Sequence, residues 1–152
     1  MQKIPILLFS LILFGCSKDS ATTTPTNGSF TINSTTYSNI TVMRIPLGGV
    51  SQLSIAQQNN GTTSVAGISI DFKKGYPTSS AVYPINKLSE ISVTATPITT
   101  TGYLAKSTDS ITKVSITVSG GKITKLDIPA YWAYNFINPK DSIKVSVNSI
   151  RE

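Results

Sequence analysis

Residues 65–72 read VAGISIDF, and every second one is apolar: Ala66, Ile68, Ile70 and Phe72 alternate with Gly67, Ser69 and Asp71. A period of two sorts residues onto a buried and a solvated face only if the backbone is extended, so this segment predicts a half-buried strand. The same pattern recurs in short stretches: SFTIN at the start of the body, ITVMRI at 40–45, Leu53 with Ile55, AVYPI, ISVTAT, KVSITVS, KITKLDI and SIKVSVNSI. Turn residues separate them. Asn33-Ser34, Gly48-Gly49, Asn59-Asn60-Gly61 and Gly120-Gly121 mark turns, the Asn-Gly pair because both residues tolerate the positive φ that tight hairpins need, and Pro46 with Gly48-Gly49 is expected to end the strand before them. No segment carries a 3.6-residue apolar period over ten or more positions. Eight or nine short strands with frequent turns predict an all-β fold, an antiparallel β-sandwich, with a calycin-like β-barrel as the alternative.

The chain has 152 residues, enough for one domain with a single core. That domain is expected over residues 29–152. Asp109-Ser110-Ile111 with Val114-Ser115 echoes Asp141-Ser142-Ile143 with Val145-Ser146, which reads as shared strand composition and not as a duplicated module. The net charge is +6, yet the lysines are scattered, and between Ala21 and Ile70 the only charged residue is Arg44. Without a basic stripe there is nothing to track phosphates, so nucleic acid is not an expected partner. Arg44 itself reads as a surface arginine at a strand end.

The beginning of the chain follows a different logic. MQKIPILLFSLILFGC has a cationic Lys3, a dozen mostly apolar residues from Ile4 to Gly15, and then the only cysteine. The apolar run suits a secretory leader and is short of the ~20 residues a membrane-spanning helix needs. Leu13-Phe14-Gly15-Cys16 resembles the lipobox of bacterial lipoproteins. The resemblance implies a signal peptide over 1–15, cleaved on the N-terminal side of Cys16, and a diacylglyceryl group on the Cys16 thiol. Acyl chains contribute about 0.8 kcal/mol per buried CH₂, so two or more hold a protein to a membrane while its folded part stays out of the bilayer.

Residues 16–28, CSKDSATTTPTNG, are almost free of apolar side chains and read as a flexible tether, ~40 Å when extended and roughly 20 Å as a coil. Cys16-Ser17-Lys18-Asp19 looks like the opening of lipoproteins from Bacteroidota-type Gram-negative bacteria. That likeness implies attachment to the outer membrane, at its periplasmic face or at the cell surface. Phe30-Thr31-Ile32 with Tyr37, and Gly121-Lys122-Ile123, are similar to pieces of the small β-sandwich lipoproteins of such bacteria.

Chemistry has few candidates. Histidine is absent, which removes the commonest general base and zinc ligand, and the lone thiol is assigned to lipid. Asp71 is expected on a solvated strand face, and Asp109, Asp127 and Asp141 at turns where Asp bonds the backbone. Together with Glu90 they show no metal-ligand spacing, so neither a metal nor a cofactor is expected. The chain is accordingly read as a non-catalytic cell-envelope protein that binds a glycan or an envelope protein, or serves as a structural component. Two other readings compete: a calycin-like carrier of an apolar ligand, and a hydrolase using two carboxylates across a cleft.

The candidate ligand-binding residues are Tyr131, Trp132, Tyr134 and Phe136, the densest aromatic cluster in the chain. Such rings either stack on sugars and partner proteins or close the core at one end of a sandwich. In an extended segment Trp132, Tyr134 and Phe136 share one face and Tyr131 points the other way. Tyr76, Tyr83 and Tyr103, placed in loops, could line the same rim.

Overall fold

The computed structural model describes residues 27–57, 65–86, 88–98, 102–106 and 108–152. Eleven strands run through them: β1 (Ser29–Ile32), β2 (Thr35–Tyr37), β3 (Ile40–Leu47), β4 (Val50–Gln57), β5 (Gly67–Phe72), β6 (Ala81–Pro84), β7 (Ile91–Thr96), β8 (Tyr103–Ala105), β9 (Lys113–Ser119), β10 (Lys122–Asn135) and β11 (Ser142–Ile150). The pairings are antiparallel, and the fold is all-β, as the alternation predicts. The strands join one hydrogen-bonded sheet in the order β2-β1-β11-β10-β8-β7-β5-β4-β3. The sheet curls into a nearly closed, barrel-like shape.

β10 is where the sheet forks. One edge pairs with β11, while the other pairs first with β9 (Lys122 to Asp127) and then with β8 (Ala133 to Asn135). β6 hangs on the far side of β9. A strand can serve two neighbours on one edge only if it bends between them, and β10 has register shifts at 123–125 and 128–131. Its buried residues follow suit: Ile123, Leu126, Ile128, Tyr131, Ala133 and Asn135 step by three where a bulge intervenes and by two elsewhere. Pro129, which has no N–H to give a ladder, sits in the second bulge. By their alternation, KITKLDI and the aromatic stretch read as separate segments. They form one strand because the bulges absorb the changes of phase.

The interior is a single apolar cluster. Ala66, Ile68, Ile70 and Phe72 all point into it, against Leu53 and Ile55 of β4 and Val93 and Ala95 of β7. Each fully buried Ile, Leu or Phe contributes about 1.5–3 kcal/mol relative to exposure, so these alternating runs supply most of the drive to fold. Tyr131 is the exception in kind. It is buried among aliphatic side chains, its hydroxyl has no hydrogen-bond partner, and burial pushes that hydroxyl above the ordinary phenol range. Tyr131→Phe is therefore expected to raise stability by about 1 kcal/mol, read as a higher melting temperature. A loss of stability would mean that the hydroxyl is satisfied after all.

Two turns match their sequence signals closely. Gly48-Gly49 joins β3 to β4, and Gly120-Gly121 joins β9 to β10, all four glycines at positive φ, which lets two residues reverse the chain with the twist of the strands. Pro46 does not end β3. It lies inside the strand opposite Ser51, tolerated because β3 is an edge strand with no ladder to feed on its outer side. β8 has no counterpart among the expected strands; three residues are too few to show a period. The Asn59-Asn60-Gly61 turn, and the leader, Cys16 and most of the tether, lie outside the described residues.

Pairing directions give the barrel two distinct ends. Tight turns 33–34 and the loop 136–141 stand at one end. The two glycine hairpins and the final residues stand at the other, where the Arg151 amide donates to the Asn27 carbonyl at 3.0 Å. The chain thus comes into the domain at the end opposite the 136–141 loop.

Candidate functional site

The last third of β10 decides where the aromatic cluster goes. Past the second bulge the strand alternates strictly, so Tyr131 and Ala133 point inward while Trp132 and Tyr134 point outward. Phe136 continues that outward face just beyond the strand. Trp132 is 51% exposed and Phe136 67% exposed, and Tyr134 is half-buried. Three of the four candidate residues therefore form an outer row, and Tyr131 belongs to the core. Each step of two covers about 7 Å along the strand, so the row extends about 14 Å.

Neighbouring strands extend this face. Tyr134 lies opposite Leu104 of β8 on one side and Ser142 of β11 on the other, and Trp132 lies opposite Lys144. Leu88, Leu104, Lys106, Tyr134, Phe136 and Pro139 line a cleft of about 310 Å³, mostly apolar. The Lys106 ammonium stands 5.0 Å from the centre of the Tyr134 ring, within cation–π range.

A buried polar knot fixes the loop that carries Phe136. Asn135 is buried, and its Oδ1 accepts the Ile137 and Asn138 amides at 2.9 and 3.3 Å. Its Nδ2 donates to Asp141 Oδ2 at 3.2 Å, and the Tyr103 hydroxyl donates to the same oxygen at 2.7 Å. That hydrogen bond, with burial, raises the Tyr103 hydroxyl above its ordinary pKa and keeps it a donor. With its ends tied inward, the loop holds Phe136 and Ile137 out, Ile137 at 76% exposure.

The other expected rim tyrosines are elsewhere. Tyr103 is buried in β8. Tyr76 and Tyr83 line a separate cleft of about 270 Å³ with Phe72, Lys74 and Glu90. Over Tyr76 lies Arg44, its guanidinium 3.9 Å from the ring centre. Arg44 is neither at a strand end nor a free surface cation. It shares the inward parity of Ile40 and Val42, and at the edge of the sheet it reaches across to Glu152 and to the Gly121 carbonyl, at 2.6 Å. Glu152, which no sequence motif marks, also accepts the Ile123 amide at 2.6 Å. Nothing in the sequence marks a pair 108 residues apart.

The remaining carboxylates hold structure. Asp109 Oδ1 takes the amides of Ile111 and Thr112; burial works against its charge, and these bonds outweigh it, leaving its pKa low. Asp127 accepts the Ser149 amide at 2.8 Å beside the first β10–β11 bulge and pairs with Lys125. Asp71 bonds Gln52 and Ser92, and Glu90 meets Lys74. Asp109 turns its own loop and Asp141 binds a distant tyrosine, so the two echoed segments differ in use. Among the described residues no three of His, Cys, Asp and Glu gather as a metal site would require. No protein-family model, curated protein or solved structure matches this chain.

Proposed function

We propose that this chain is a lipid-anchored protein of the bacterial cell envelope that works by binding, with the outer row of Trp132, Tyr134 and Phe136 as its contact surface. The carrying observation is that row. Large aromatic side chains held outward by a rigid central strand, with a loop fixed by buried hydrogen bonds, lose little conformational freedom on binding. Around Tyr134 both edges of β10 are paired, so a partner cannot add a strand there and has to engage side chains. An interior carrier is less favoured, because the buried side chains of the long strands join in a single apolar cluster.

The anchoring reading is supported by the Leu13-Phe14-Gly15-Cys16 motif, and attachment to the outer membrane by the likeness of Cys16-Ser17-Lys18-Asp19 to the opening of Bacteroidota-type lipoproteins. Cys16→Ala should move the exported protein from the membrane to the soluble fraction; retention in the membrane fraction would remove the lipid from this account. Binding is tested through Trp132, the only tryptophan in the chain. Its emission should shift when purified envelope polysaccharide is added, and the shift should weaken at least about tenfold in midpoint for Tyr134→Ala. Unchanged midpoints would remove the row from binding.

A further inference from the structure

Charge around the aromatic row narrows its partner. Lys144 stands opposite Trp132, Lys106 lies over the Tyr134 ring, and Lys140 is exposed in the loop beyond Phe136. None of the three forms an ion pair among the described residues, whereas Lys73, Lys74 and Lys125 all do. The Asp141 carboxylate next to Lys140 is turned inward to Tyr103 and Asn135. Three cations without an ion pair among the described residues therefore border three outward rings, and the carboxylate of Asp109, whose amide bonds the Lys106 carbonyl, is engaged by the Ile111 and Thr112 amides.

We propose that this face binds a linear anionic polysaccharide, its sugar rings lying along Trp132, Tyr134 and Phe136 and its carboxylates meeting Lys144, Lys106 and Lys140. The proposal rests on the binding role of the row and deepens it. Flat rings about 7 Å apart along a straight strand offer successive apolar platforms to a polymer with one apolar face per sugar. Lysine is a flexible point charge that follows carboxylates spaced along such a chain. The cleft is partly open to solvent, which lets a polymer run through it.

An anionic bilayer has the same charge, and the exposed Phe136 and Ile137 would suit one. Position argues against it. The tether joins the domain beside Arg151, at the far end of β11 from Ser142, about 25–30 Å from the row. A coil of the tether's length spans roughly 20 Å. To lay the row on the bilayer that holds its own lipid, the tether would have to be drawn out along the barrel.

The test uses the full chain in detergent micelles and reads Trp132 emission. Alginate, a linear polyuronate, is expected to shift the emission, with apparent affinity falling at least about tenfold from low to high salt. Dextran, a neutral linear polymer, should give no shift at the same mass concentration. Lys144→Gln should weaken alginate about tenfold, and Ile137→Ser, which removes an apolar side chain without adding charge, should leave it unchanged. Equal responses to alginate and dextran, with Lys144→Gln silent, overturn the anionic assignment and leave the aromatic face as a binding surface. A response confined to phosphatidylglycerol vesicles and abolished by Ile137→Ser overturns the polymer in favour of a bilayer. If none of the three shifts the emission, the polymer is overturned. A photo-crosslinker at position 132 in cells then separates the two claims: a protein adduct preserves the binding face, and no adduct brings it down too.

Discussion

Replacing Glu152 with alanine is expected to lower the unfolding free energy by about 2–3 kcal/mol, a fall of roughly 5–10 °C in melting temperature. The Glu152 carboxylate accepts from Arg44 Nη2 at 2.8 Å, from Arg44 Nε, and from the Ile123 amide at 2.6 Å. These bonds join β3, at one end of the sheet order, to the start of β10 and the end of β11. The guanidinium side is 40% exposed and the carboxylate side 10%, so water screens the pair from one side only. Alanine removes the acceptor of a fully buried residue's amide and leaves Arg44, among the described residues, with Gly121 and Tyr76. Glu152→Gln keeps an acceptor and is expected to lose about half as much.

The same carboxylate has a pH signature. Burial would raise its pKa, but the Arg44 hydrogen bonds and the Ile123 amide outweigh burial and hold it below the usual value of 4.5. Stability from a carboxylate with a depressed folded pKa is fully present above that usual value and is lost as pH falls through the folded one. Thermal melts of the wild type should therefore drop more steeply below pH 4.5 than those of Glu152→Gln. Some slope remains in the variant, because Asp109 and Asp127 are depressed as well. Parallel curves for the two proteins would show that the seam does not depend on this charge.

How much of this was legible beforehand depends on the range of the interaction. β5, β7, β9 and β11 are all readable, because each has a face of period two and its own turn residues. Arg44 is not, because its role is set by the curl of the sheet, which brings Glu152 and Gly121 to it from the other end of the chain. The phase of β10 could be read only piecewise. Its bulges near 124 and 129–130 shift the alternation, and a bulge is a property of two strands in register, visible in neither strand alone. For the candidate site, parity within the stretch 131–136 correctly separates Tyr131 from the other three rings. Which of the two faces is outward followed only from the pairing of Tyr131 with Val145 and Ala133 with Ile143, both inward residues of β11.

The polar knot beneath the aromatic loop supports the other large effect. Asn135→Ala is expected to cost about 3 kcal/mol, since it deletes the acceptor of two amides and one donor to Asp141 in a buried place. It also frees the loop carrying Phe136, so partner binding should weaken by at least about tenfold. Asn135→Asp separates these contributions by charge. The aspartate retains an acceptor for the Ile137 and Asn138 amides but sets a second carboxylate beside Asp141, whose oxygen already takes the Tyr103 hydroxyl. Two such groups cannot both ionise cheaply in a buried place, so one folded-state pKa is pushed up. For a carboxylate raised in the folded state, destabilisation is greatest at neutral pH and is relieved as pH falls through the raised value. Melting temperatures should thus converge on wild type with mild acidification for Asn135→Asp, while Asn135→Ala stays low throughout. Should both variants melt with the wild type and leave Trp132 emission unmoved by partner alike, the loop is held by its own turns, and the knot has no part in presenting the rings.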